Sequence, residues 1–155
     1  MRNIWNIPGL PHTGWHCFSV TELEAPDHTC EMCRKEDIRF VHNLSHPQGF
    51  FLQVGCVCSG KLTGDLTLMV KMNADAKKLA NQKKTWFNKD WQTIGPIYIE
   101  KSTKTFEAYI GKKSNKTWRY SYNVEHVPSG KKFAGKSMIK QNAIDSIEAW
   151  ISKFV

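Results

Sequence analysis

Alternating apolar and polar residues around position 40 predict a β-hairpin. Every second side chain of IRFVHNL lies on one face of an extended chain, namely Ile38, Phe40, His42 and Leu44. HPQG follows as a turn, and FFLQVG returns as a second strand. The preceding residues 1–29 show no such alternation and are rich in proline and glycine, so we expect them to be irregular.

Apolar residues at helical spacing predict two helices. The first begins near Asp65, whose carboxylate is suited to accept backbone N–H groups at a helix N-terminus. Its apolar stripe consists of Leu66, Met69, Val70, Ala76, Leu79, Ala80, Trp86 and Phe87. The second helix begins at about Ser137. Its stripe consists of Ile139, Ala143, Ile147, Trp150 and Phe154.

Three runs between these helices predict antiparallel strands. They are IYIEK, TFEAYIG and TWRYSYNVEHV, and KKFAG predicts a further short strand. In the third run, one face carries Trp118, Tyr120, Tyr122 and Val124, and the other carries Arg119, Ser121, Asn123 and Glu125. Because aromatic stripes are usually buried, we expect the C-terminal helix to cover the tyrosine face and to leave the polar face exposed.

The order of these elements predicts an α+β protein. A β-hairpin and a long helix precede a small antiparallel sheet that packs on a C-terminal helix. The IGP at 94–96 favours a boundary there, which divides the chain in two. We expect residues 1–92 to hold an N-terminal arm, the hairpin and the long helix, and residues 93–155 to form a basic βββα domain.

Composition limits the environment in which this chain works. It has 155 residues, no run of about 18 apolar residues that would span a membrane, and no segment at the N-terminus that resembles a signal peptide. We therefore expect a cytoplasmic protein with reduced cysteines. In such a compartment, paired cysteines more often bind metal than form disulfides.

The net charge of +8 is unevenly distributed. Residues 1–60 contain four basic and six acidic side chains, whereas residues 61–155 contain eighteen and eight. A basic segment of this kind attracts polyanions, either nucleic acid or an acidic protein. The residues predicted to contact nucleic acid are Lys101, Lys104, Lys112, Lys113, Lys116, Arg119, Asn123, Lys131, Lys132 and Lys136.

Four of the five cysteines flank the predicted hairpin, as Cys30-x-x-Cys33 and Cys56-x-Cys58. Zinc takes four thiolate or imidazole ligands in a tetrahedron, so this spacing predicts a structural zinc site. Binding by both Cys56 and Cys58 requires a non-helical turn between them. If Cys56 does not bind, the fourth ligand could be His28, His42 or His46; His42 and Cys17 are the weaker candidates.

The segment from Cys30 to Cys58 resembles a treble-clef or zinc-ribbon finger of bacterial and phage proteins, with Val54-Gly55 before Cys58 matching its last element. The strands and helix after residue 93 are similar to the three-strand-plus-helix DNA-binding domain of tyrosine integrases. The last helix, after a basic cluster, also resembles the end of a double-stranded-RNA-binding domain. These resemblances imply nucleic-acid binding, with DNA favoured over RNA.

Three functional hypotheses follow. The first is a zinc-stabilised, non-enzymatic nucleic-acid-binding protein. The second is an interaction factor of phage or mobile-element type that binds a host protein through its tryptophan-rich arm. The third is a small nuclease or other hydrolase that uses a carboxylate with His12, His16, His42, His46 or His126. It has the least support because no arrangement fixes a nucleophile, a base and an oxyanion donor.

Overall fold

A computed structural model describes residues 6–96, 98–112 and 119–155. Within these ranges the chain has three helices and two antiparallel sheets, of three and five strands, and this confirms the α+β class. Its internal contacts divide it into two compact units, Met1–Ala80 and Asn81–Val155. This division falls inside a helix, whereas the sequence indicated a boundary after residue 92.

The first unit contains a sheet in the order β1–β2–β3, formed by His16–Glu22, Phe40–Ser45 and Phe51–Val54. Strands β2 and β3 are the predicted hairpin, with Leu44 opposite Leu52. The expectation that residues 1–29 are irregular was wrong for β1, which pairs antiparallel with β2. Cys17 lies opposite Leu44, and both are buried, so core packing holds a strand that lacks a regular pattern.

Two helices follow this sheet, α1 (Cys56–Thr63) and α2 (Leu66–Phe87). Asp65 accepts a hydrogen bond from the Leu68 amide at 2.9 Å, which confirms it as the cap of α2. Helix α1 was not predicted. The two helices approach closely because Gly60 has no side chain: a Cβ atom there would lie 2.9 Å from the Leu66 Cα.

The second unit is a five-stranded antiparallel meander rather than the predicted three-stranded sheet. Its strands are β4 (Gln92–Thr93), β5 (Tyr98–Ser102), β6 (Phe106–Gly111), β7 (Tyr120–His126) and β8 (Lys131–Ser137). The KKFAG segment lies within β8, which pairs with β7 along seven residues. The sequence predicted KKFAG as a further short strand, so the two-residue β4 is the strand of this sheet that was not predicted.

Helix α3 (Lys140–Lys153) packs against β6, β7 and β8 and forms the core of the second unit. Its buried side chains recur at every fourth position, at Ala143, Ile147 and Ile151. They meet one face of the sheet, where Ala108 and Val124 are opposite each other and fully buried. The opposite face of this sheet is not covered by α3.

None of the helices in the described ranges combines the length and the apolar character needed to cross a membrane.

Candidate functional site

Three cysteines come together in the first unit. The Sγ atoms of Cys30, Cys33 and Cys58 all lie within 4.8 Å of one another, a separation at which one metal ion can bind all three. Cys30 and Cys58 are buried, whereas Cys33 is exposed. The sequence prediction named these three residues and Cys56 as ligands.

A tight turn presents the first two thiols. The Cys30 amide donates to the Lys35 carbonyl at 2.8 Å, and the Arg34 amide donates to the Cys30 carbonyl at 2.9 Å. Arg34 closes this turn with a φ of 63°, a left-handed conformation that is uncommon for a residue with a side chain. The Gly55 amide points at the Cys30 Sγ, 3.5 Å away, and can stabilise negative charge on that sulfur.

Helix α1 supplies the third thiol and separates it from Cys56. Cys58 is the third residue of the helix, close to the positive end of its dipole, which favours a thiolate. Residues two apart on a helix point about 200° apart around its axis. Cys56 therefore lies outside the group of three close thiols, and the non-helical turn that would let both cysteines bind is absent.

The three thiols influence one another's protonation. Burial, together with the neighbouring Cys33 and Cys30, raises the pKa of Cys58 to about 12. Burial would also raise the pKa of Cys33, but hydrogen bonds from the Lys35 backbone and from the other two thiols outweigh it and lower that pKa. A metal ion must displace the proton of Cys58, so metal affinity should increase with pH.

The alternative ligands all have other partners. His28 Nε2 lies 3.3 Å from the Gln53 carbonyl, and His46 Nε2 lies 3.0 Å from the Thr13 carbonyl. The buried His42 sits between the Cys17 Sγ, 3.8 Å from its Nδ1, and the Asn73 Oδ1, 3.2 Å from its Nε2. Among the described residues, the group of close ligand atoms contains none of these histidines.

The three thiols line a cavity of about 450 Å³. Lys35, Arg39 and Lys77 also line it, together with Cys56. Thiolates are soft ligands, so a group of three suits Zn²⁺ or Cu⁺ better than Mg²⁺ or Ca²⁺. The donor set therefore fits a metal ion, and the neighbouring basic side chains would offset the negative charge of the thiolates.

Most of the predicted nucleic-acid contacts in the second unit lie on the surface. Six of them are exposed, and these are Lys104, Arg119, Asn123, Lys131, Lys132 and Lys136. Lys112 is half-buried, with its Nζ 4.4 Å from the centre of the Tyr120 ring. Lys113 and Lys116 lie outside the described residues.

Lys101 is a correction to the predicted interface. It is only 3% exposed, and its Nζ lies 4.1 Å from the centre of the Trp86 ring. Burial lowers the pKa of this ammonium group, although Glu148 and Asp90 partly oppose the shift. Lys101 faces the core because it lies opposite Ala108 on the covered face of the sheet, a placement that its charge did not reveal.

The uncovered face of the second sheet carries polar side chains, as the alternation in β7 predicted. Ser121 and Asn123 are exposed there, whereas Tyr122 and Val124 turn towards the other face. Sequence reasoning missed Tyr98 and Tyr109, which lie on the uncovered face of β5 and β6. The alternation of IYIEK and TFEAYIG assigns each tyrosine to one face of its strand, but it does not reveal which face a helix covers.

This uncovered face is concave near the ends of β6 and β7. The depression has a volume of about 540 Å³, and its lining includes Tyr98, Tyr109, Lys112, Ser121, Asn123 and Lys136. Aromatic, hydroxyl, amide and ammonium groups thus meet on one surface.

Comparison with protein-family models, with curated proteins and with solved structures finds no match to the chain.

Proposed function

We propose that this protein binds nucleic acid through its second unit and that zinc stabilises its first unit, with no enzymatic activity. The observation that carries the proposal is the distribution of charge. The first unit contains eight basic and eight acidic side chains, and the second contains fourteen and six. The whole net charge of +8 thus belongs to the unit with the uncovered sheet face.

The position of the basic groups supports this proposal. Lys136 is opposite Ser121 on the uncovered face, and the exposed Arg119 precedes β7 by one residue. Ammonium and guanidinium groups bind phosphate, and hydroxyl and amide groups such as those of Ser121 and Asn123 bind phosphates or base edges. DNA remains our preferred ligand over RNA.

Zinc is the proposed metal because thiolates in a tight turn and at a helix start are typical of structural zinc sites. Cys30, Cys33 and Cys58 would hold it. Cys56 stays a prediction as the fourth ligand, and its binding requires α1 to unwind at its first residue. The proposed task of the metal is to fix the hairpin to α1, which is a structural role.

A salt-dependent binding series tests the proposed function. The zinc-loaded chain is titrated against labelled duplex DNA, single-stranded DNA and duplex RNA at 50 and 200 mM salt. Binding should weaken steeply with salt, and the Arg119→Ala/Lys136→Ala variant should reduce the slope of log K against log salt by about 2. Absence of binding to every nucleic acid at 50 mM salt would refute the proposal.

A matched control separates local contacts from net charge. The Lys84→Ala/Lys153→Ala variant removes the same charge from exposed positions on α2 and α3. It should retain the wild-type slope. An equal loss in both double variants would indicate binding to the overall positive field rather than to the sheet.

The first unit carries an observation that favours the alternative, a protein-interaction factor. Phe18 and Phe51 are 55% and 71% exposed, and both line a shallow depression beside β1 and β3. Exposed aromatic pairs of this kind are common in protein interfaces. A partner recovered by pull-down after nuclease treatment, and lost with the Phe18→Ser/Phe51→Ser variant, would support this second function.

A further inference from the structure

Tyr98 lies flat on the uncovered sheet face. It is directly opposite Gly111, and a Cβ atom at Gly111 would overlap the Cδ1 and Cε1 atoms of the Tyr98 ring. The glycine therefore makes room for the ring to lie against the backbone. The ring lies against Gly111, yet the side chain stays 48% exposed, so a large part of it is open to solvent.

Tyr109 provides a second ring on the same face. It is paired with Glu100, two residues along β5 from Tyr98, so the two tyrosines are diagonal neighbours about 7–8 Å apart at their backbones. Tyr109 is 36% exposed. Two exposed rings on adjacent strands can take successive bases of an extended strand.

The charges around these rings suit a polyanion. Lys112 and Lys136 line the depression with the two tyrosines, and no carboxylate is among its described lining residues. Two glutamates of this face lie towards its other end, where Glu125 is paired with Glu107 and with Lys132. A third, the half-buried Glu100, is paired with Tyr109. Lys136 lies in the cross-strand row of Tyr98, Gly111 and Ser121, which holds no carboxylate, so phosphates would meet ammonium groups along this row.

We propose that this depression binds single-stranded nucleic acid, with two bases stacked on Tyr98 and Tyr109 and the phosphates beside Lys112 and Lys136. The inference rests on the proposed function and adds the class of ligand. A duplex keeps the faces of its bases stacked inside the helix, so it cannot use the rings, whereas every unpaired base offers a face to them.

The test compares strands and variants with the full-length, zinc-loaded chain. Fluorescence anisotropy is measured with a labelled 12-nucleotide DNA strand, the RNA strand of the same sequence, and the DNA duplex. We expect either single strand to bind at least about tenfold more tightly than the duplex. Tyr98→Leu and Tyr109→Leu should each weaken single-strand binding by about 5- to 150-fold, and Tyr98→Phe should retain it.

The matched control removes an exposed aromatic ring elsewhere. Phe51→Leu, on β3 of the first unit, should bind the single strand as the wild type does. Binding of the duplex as tightly as the strands, with no effect of either leucine variant, would overturn the inference while the proposed function stands. Failure to bind any nucleic acid overturns both.

Photo-cross-linking of the wild-type chain tests the same contacts without any substitution, so its result does not depend on whether a leucine variant folds. Single strands that contain 5-bromouracil are cross-linked to the wild-type protein by ultraviolet light, and the linked peptides are identified by mass spectrometry. Cross-links at Tyr98 or Tyr109 support the inference. Cross-links confined to other parts of the chain contradict it.

Discussion

Two cysteines only two positions apart, Cys56 and Cys58, have different surroundings in this protein. Cys56 and Cys58 read alike in the sequence, but only Cys58 joins Cys30 and Cys33. Burial raises the pKa of Cys56, whereas the positive charge of Lys77 partly lowers it. Because α1 begins at Cys56, the two thiols point about 200° apart around the helix axis, and this places only Cys58 beside Cys30 and Cys33.

Substitution of single cysteines should separate ligands from neighbours. We expect Cys33→Ser to weaken zinc binding roughly 100-fold, because one ligand of a structural site contributes about 3 kcal/mol of a total of about 10–16 kcal/mol. Cys33 is exposed, so the change removes a ligand without opening a cavity in the core. Cys56→Ser alters the thiol outside the close group, so it should weaken zinc binding less than Cys33→Ser and retain one zinc per chain. Competition titration with a chromophoric chelator measures both affinities, and equal losses would show that Cys56 is a ligand as Cys33 is.

The buried His42 should make the first unit sensitive to acid. Burial lowers the pKa of His42 below its ordinary value of 6.5, although its hydrogen bond with Asn73 opposes this shift. Its stabilising contribution is complete above pH 6.5 and is lost as the pH falls towards the folded pKa, since the unfolded chain then binds a proton that the folded chain does not. The free energy of unfolding should fall by up to about 1.4 kcal/mol for each pH unit in that window.

Urea unfolding at pH 7.5 and 5.5 checks this expectation. His42→Gln should show a smaller decrease than the wild type between the two pH values. His16→Gln, at an exposed position of β1, serves as the control and should follow the wild type. Because protonation of the cysteine ligands affects all three proteins alike, only the difference from the wild type reports on His42.

At the scale of elements, the pairing of strands depends on neighbours that are remote in the sequence. Alternation predicted β2 and β3, which bury His42, Leu44 and Val54 on one face, although Val41 on the other face is buried as well. It missed β1, whose register with β2 shifts between Cys17 and Ser19 and so breaks the period of two. The alternation predicted only a short strand where β8 lies. Contacts with β7 and α3, rather than the composition of β8, stabilise the full length of that strand.

The close approach of α1 and α2 is a test of packing at this scale. Gly60→Ala should lower the free energy of unfolding. Overpacking costs about 1–3 kcal/mol, and the gain in helix propensity of about 1 kcal/mol only partly offsets it. The backbone of Leu66 cannot rotate away from the new methyl group. Thermal unfolding measures the change, and Thr67→Ala, which is exposed on α2, is the control that should not destabilise. A Gly60→Ala variant more stable than the wild type would show that the contact between α1 and α2 tolerates a methyl group at this position.

At the scale of the whole molecule, each unit has its own core and its own candidate site. The core of the first unit includes two of the three close cysteines, Cys30 and Cys58. The second unit contains no cysteine at all. Loss of a metal ion should therefore act on one unit and leave the packing of α3 on β6 and β7 intact.

Hydrogen exchange before and after chelation measures this difference. Treatment of the zinc-loaded chain with a chelator should remove protection from the amides of Phe40–Ser45 and Cys56–Thr63. The amides of Phe106–Gly111 and Tyr120–His126 should retain theirs. A parallel loss in both units would show that their stabilities are coupled.

The sequence by itself determined the properties that depend on composition and on local period. These are the α+β class, the hairpin between the cysteine pairs, the cap at Asp65, the polar face of β7 and the basic charge of the second half. Each follows from residues that act within one element or from a count that needs no contacts.

Only the tertiary structure decided the properties that depend on which surfaces meet. It placed Lys101 against Trp86, left Tyr98 and Tyr109 on the uncovered face of the sheet, and separated Cys56 from the other thiols. A strand pattern gives two faces but does not reveal which one a helix will cover, and a cysteine spacing does not fix where a helix begins. Both are settled by packing between elements distant in the chain, which also positions the candidate sites.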